Sequence, residues 1–188
     1  MLAQQPHGDS VVYTLSPASR FEVATGKAGL FGFAGHEHTI RARTVSGRVV
    51  YRLDSIAASH VEITVPTDSL EVLTPPDTEE IRKVTASMRT DVLDVANYPE
   101  IRMVSQHVEG TTRHLNLMVA LTIKGTTREI PIAVDLKFGV DTLLATSTFT
   151  VKQTAFGITP YRGGPAGTVR VADEVAFSIR AVAVRQSP

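Results

Sequence analysis

The chain has 188 residues, with 19 Lys and Arg against 19 Asp and Glu and a formal charge of zero. No net cationic field draws it to nucleic acid or to an anionic membrane surface. Hydrophobic residues make up 43% and charged residues 20%, which excludes wholesale disorder and collagen-like repeats, and the absence of cysteine removes disulfides, thiolate metal sites, iron–sulfur clusters and cysteine nucleophiles together.

Residues 1–10 carry neither a basic n-region nor an apolar h-region, and no run of 18 apolar residues occurs anywhere, so no transmembrane segment is expected. That stretch reads as a flexible N-terminal segment ahead of a single domain over 11–185. Weak period-two signals mark strands at 11–15, 21–25 and 47–53. Val61, Ile63 and Val65 alternate with Glu62 and Thr64, as in a strand with one face on a core. The period then changes. Ile81, Val84 and Met88 fall at spacings of three and four, a helical stripe over about 77–90. Asp77 stands where it caps the first turn, with Glu80 placed to return a bond to the cap.

Strand signals resume at 100–108. They are strongest where Leu115, Leu117, Val119, Leu121 and Ile123 alternate with Asn116, Met118, Ala120 and Thr122. Ile130, Ile132, Val134 and Leu136 follow, then 143–151, then Val175, Phe177, Ile179 and Ala181. Turns at Lys124-Gly125-Thr126 and Gly139-Val140-Asp141 join them. About nine strands interrupted once by a helix predict a mainly β, single-domain antiparallel barrel or sandwich. A barrel of about eight strands has an interior that side chains fill or one small ligand occupies.

Three stretches carry a family resemblance. Leu93-Asp94-Val95-Ala96-Asn97-Tyr98-Pro99-Glu100-Ile101 followed by Met103 is one. Leu121-Thr122-Ile123-Lys124-Gly125-Thr126-Thr127-Arg128-Glu129-Ile130 is the closest match. Phe156-Gly157-Ile158 is the third, with Gln153 and Ala155 where Arg and Asp are common. In this order they resemble the YceI-like family, over about 12–184. The resemblance implies a lipocalin-like antiparallel β-barrel, with the helix covering part of it, that binds, transports or stores an isoprenoid lipid of polyprenyl or quinone-precursor type in an apolar tunnel, without catalysis and with no required cofactor. It also implies a periplasmic or secreted protein if a leader has been removed, and a cytoplasmic one otherwise.

The large apolar residues expected to line such a tunnel are Phe21, Phe31, Phe33, Met88, Leu93, Met103, Met118, Phe138, Phe156 and Phe177. Each has the simpler reading of a core residue. Met118 and Ala120 place apolar groups on the second face of their strand, as when both faces are covered, by the helix or a partner. A module with a filled core that forms a homodimer is the structural alternative.

The polar candidates are few. His36 and His38 share a side if their segment is a strand, so both imidazoles reach one divalent metal such as zinc or copper, with His60, His107, His114 or an acid as further ligands. The simpler reading is a pair bonded to backbone or water at a barrel rim. Gly163-Gly164-Pro165-Ala166-Gly167 reads as a loop, since Pro165 removes an N–H from any phosphate cradle. Asp91 and Asp94 read as turn residues before Tyr98. No nucleophile elbow, P-loop or dinucleotide fingerprint occurs, and an enzyme is not expected.

Overall fold

A computed structural model describes residues 10–27, 37–73, 78–163 and 169–187. In chain order its elements are β1 (Ser10–Leu15), β2 (Arg20–Lys27), β3 (His38–Ala42), β4 (Ser46–Arg52), β5 (His60–Pro66), β6 (Leu70–Val72), helix α1 (Thr78–Ser87), β7 (Glu100–Gly110), β8 (His114–Ile123), β9 (Thr126–Phe138), β10 (Thr142–Lys152), β11 (Arg162–Gly163) and β12 (Val169–Arg185). Pairing runs β1–β4–β5–β7–β8–β9–β10–β12, and β12 returns to β1. The result is a closed antiparallel barrel of eight staves.

Three staves are each built from two strands. β1 and β2 both lie along β12, on its C-terminal and N-terminal halves. β4 and β3 pair with them in turn, and β5 and β6 follow. All three staves break at one level, at 16–19, 43–45 and 67–69. Hydroxyl side chains there take up backbone groups that the broken ladders leave free. Ser19 Oγ donates to Val182 O and accepts from Val182 N, each at 3.0 Å. Thr67 Oγ1 donates to Tyr98 O at 2.9 Å and Ser69 Oγ to Pro66 O at 2.8 Å; both residues are buried.

Strand parity decides what enters the core. On β8, Leu115, Val119, Leu121 and Ile123 are buried and Leu117 half-buried on the axis-facing register, while Asn116, Met118, Ala120 and Thr122 face out. Axis-facing Ile63, Met103, Val119, Leu121, Ile132, Ile179 and Ala181 form a buried ring around the waist. Gly47 belongs to the same register, opposite Ile63. A Cβ there would lie 2.8 Å from both Glu62 O and Leu15 Cδ1, so no side chain fits. The Lys124-Gly125 hairpin turn has φ of 47° and 70°, the type I′ geometry that suits strand twist. A Cβ on Gly125 would meet Tyr98 Cε1 at 2.7 Å.

The nine expected strands are present, and three more occur that the pattern does not announce. β6 and β11 have only three and two residues, too short for a period, and β3 lies mostly half-buried. The helix spans Thr78–Ser87 and then widens into a π turn over Met88–Val92, where Leu93 N donates to Met88 O at 2.9 Å. The stripe holds: Met88 is buried and Ile81 and Val84 are half-buried against the core. Asp77 and the side chain of Glu80 lie outside the described residues, so the cap does too. α1 packs on β6, and Arg89 Nη2 donates to Asp68 O at 2.7 Å. No helix among the described residues is long and apolar enough to cross a membrane.

Candidate functional site

The barrel has a helix end and a far end, the latter formed by the connections at 53–59, 111–113 and 139–141. Behind the far end lies a cavity of about 60 Å³, walled chiefly by Val49, Val61, Val108, Leu115, Leu117 and Leu136, with Ser59 and His60 at its edge. Tyr51 also lines it, and Phe138 lies against Tyr51. Their rings lie 5.1 Å apart, and Tyr51 Oη donates to Thr112 O at 3.3 Å, across the mouth. Burial, reinforced by neighbouring Tyr13, pushes the Tyr51 phenol above its ordinary pKa, so it remains a neutral donor. Tyr51 is 2% exposed but Phe138 is 41% exposed, and Leu53 and Val140 stand still more open at the same end.

A bulge in β7 between Ser105 and His107 lies beside the cavity wall. The buried Ser105 hydroxyl accepts from Val61 N at 2.9 Å and lies 3.2 Å from His60 Nδ1. That contact answers the backbone donor the bulge displaces. No Asp or Glu among the described residues bonds to His60 to make a hydrolytic triad, whose base needs an orienting partner.

At the helix end, Met88, Leu93, Ile123, Phe156 and Ile158 join the buried core. Phe156 sits in a 3₁₀ turn, Gln153–Phe156. The two positions that depart from the family pattern have identifiable surroundings. Gln153 Nε2 donates to Ala172 O at 2.8 Å, tying the turn to β12, and Ala155 packs half-buried. The carboxylate in this region is Asp173, which accepts from Thr154 N at 2.9 Å and from Thr154 Oγ1 at 2.7 Å. These bonds, the backbone one foremost, hold its pKa below the usual carboxylate value.

The expected lining residues therefore separate into groups. Phe21, Met103 and Phe177 face the axis, Phe177 stacked on Phe149 with centroids 4.8 Å apart. Phe138 faces it at the far mouth. Met88, Leu93 and Phe156 plug the helix end. Met118 requires a correction. It lies on the outer face, half-buried opposite His107 and Pro131, because strand parity turns it away from the axis-facing Leu117 and Val119. On that outer face Met118 and Ala120 stand beside cross-strand residues of the same sheet, while α1 packs on β6. Phe31 and Phe33 lie outside the described residues.

His36 and the 164–168 loop also lie outside them. His38 pairs with Thr25, whose Oγ1 accepts from His38 N at 3.2 Å. The other histidines are dispersed: His107 Nε2 lies 3.7 Å from Glu109, and His114 Nδ1 lies 2.5 Å from Asp135 Oδ1. Among the described residues no three His, Asp or Glu side chains gather to hold a metal ion. Asp94 serves its turn as expected, with both carboxylate oxygens accepting from Asn97 Nδ2 at 3.0 Å.

The sequence profile of the YceI-like domain matches residues 13–183. The chain belongs to the YceI-like family. No curated protein matches it significantly in sequence. Its fold is shared with BcnA of Burkholderia cenocepacia, at 19% identity and a TM-score of 0.72, over 89% of this chain and 98% of that one. It is shared too with a polyisoprenoid-binding domain from Saccharophagus degradans implicated in plant cell wall breakdown, at 11% identity and 0.68, over 95% and 100%. A Campylobacter jejuni YceI protein aligns at 14% identity and 0.61, over 79% and 85%. The antiparallel barrel expected of this YceI-like chain is the fold it has.

Tyr51, Ser105, Pro131 and Ser147 carry no motif that marks them in the sequence. Two signals were available: Tyr51 continues the alternation of Val49, and Pro131 interrupts an otherwise regular strand.

Proposed function

We propose that this YceI-like protein holds an isoprenoid-type lipid along the barrel axis, for carriage or storage, and performs no chemistry on it. The observation that carries this reading is an apolar axis that is not solidly packed. A cavity of about 60 Å³ remains at the far end. Toward the helix end the axis-facing Val23, Ile40, Ile130, Phe149 and Phe177 are only partly buried. An all-carbon chain needs no polar partner, and each buried CH₂ contributes about 0.8 kcal/mol. The description of the Saccharophagus domain as polyisoprenoid-binding agrees with it.

The space must enlarge for a chain to fit. The cavity is smaller than the roughly 150 Å³ that admits benzene in an engineered apolar core. The movable parts are the Tyr51–Phe138 pair at the far mouth and Met103 in the waist, whose unbranched thioether re-packs easily. Gentle purification, solvent extraction and mass spectrometry test the reading. It expects an isoprenoid lipid in stoichiometric yield, or uptake of added prenol by emptied protein. Protein that is repeatedly empty and takes up no prenol overturns it.

A further inference from the structure

The β9–β10 ladder is short for the length of its two strands. β8 and β9 pair at ten consecutive positions and β10 and β12 at eleven, but β9 and β10 pair at only four, Asp135 to Phe138 against Leu143 to Thr146. Beyond Thr146, toward the helix end, no β9–β10 pairing continues among the described residues. The cause is local. In the two-residue Lys124-Gly125 hairpin the flanking Thr126 and Ile123 form a hydrogen-bonded pair, so even-numbered residues of β9 bond to β8 and odd-numbered ones face β10. Pro131 is odd-numbered and has no N–H to offer across the gap. One step nearer the far end, Ala133 O is taken by Ser147 Oγ at 2.7 Å, a side chain standing in for the next rung. At the opposite limit the Gln153–Phe156 turn packs against β9. The gap is thus a bounded slot in the barrel wall.

The side chains beside it behave as an opening predicts. Phe149, Phe177 and Ile130 point to the axis yet are only half-buried, while Val151 and Val175 above them and Ile179 below are buried. Arg128, the next axis-facing residue of β9, is exposed although Leu121 opposite it is 0% exposed. We infer that this seam is a lateral window through which an apolar chain reaches the axis, with Phe149, braced on Phe177, as its gate. The inference rests on the reading of the barrel as a lipid carrier and adds the route and the gating residue.

The absence of cysteine permits a clean test. The β9–β10 register, continued, sets Thr150 opposite Pro131. A Pro131→Cys/Thr150→Cys pair joined by a short bis-maleimide closes the window covalently. Stopped-flow loading of a fluorescent prenol then reads the rate, and its end point reads capacity. The expected result is at least tenfold slower loading at unchanged capacity, whereas Phe149→Ala, uncrosslinked, loads several-fold faster. Unchanged rates in both variants overturn the window while leaving the carrier reading intact; wild-type protein that binds no prenol overturns both. Should the cysteine pair not fold, Phe149→Ala decides alone, with an unaltered rate counting against the gate.

Discussion

The wall formed by β7, β8 and β9 and the seam between β9 and β10 belong to one barrel but follow different rules. In the wall, ten consecutive β8–β9 pairs set Leu117, Val119, Leu121 and Ile123 on one face, and the waist there is closed by buried side chains from several staves. In the seam four pairs suffice, a proline withholds a donor and a serine caps the last carbonyl. Beside the unpaired stretch the axis-facing Ile130 and Phe149 are only half-buried. Of the stacked aromatic pair, Phe149 borders the unpaired stretch, and Phe177 stands behind it on β12.

That contrast can be attacked from both sides. The largest effect is expected in the wall: Leu121→Ala lowers stability by about 2–5 kcal/mol through lost burial and a cavity, read by chemical denaturation. Gly47→Ala follows, at about 1–3 kcal/mol, since the added methyl must displace Leu15 and the Glu62 carbonyl. Ser147→Ala in the seam is expected to cost only about 1 kcal/mol but to quicken amide exchange around Ala133 and Thr148. If Ser147→Ala proves as costly as Leu121→Ala, the two regions do not differ as described. Pro131→Val restores a donor and should slow exchange at Thr148 and Thr150, with net stability changed by less than about 1 kcal/mol as chain entropy and the new bond offset.

The smallest effect concerns pH. The folded-state pKa of Asp173 is depressed by its bonds to Thr154, so its contribution is present above the ordinary carboxylate pKa and is lost as pH falls through the folded value. Asp173→Asn should therefore loosen the Gln153–Phe156 turn at neutral pH, and the difference from wild type should vanish in acid. A constant difference down to low pH contradicts this assignment.

The barrel was legible in the chain wherever both faces of a strand differed in polarity for five or more residues, as in β8, β9 and β12. β3 and β6 escaped because a short, half-buried strand leaves no alternation to read. The helix stripe was legible, but the π turn at Met88–Val92 was not, since it preserves the apolar contacts while shifting the hydrogen bonds. For the site, size misled where register would have served: Met118 is large and apolar, yet its parity sends it outside. Tyr51 and Phe138 meet only because β4 and β9 end at the same mouth, a juxtaposition that closure of the barrel creates.

Nuclear Overhauser contacts between a ¹³C-labelled prenol and the protein's methyl and ring protons would locate a bound chain relative to the barrel wall. A chain held on the axis gives contacts to Val49, Leu117, Ile130 and Phe177 and none to Met118 or Ala120 outside. Contacts confined to the outer face would contradict that placement.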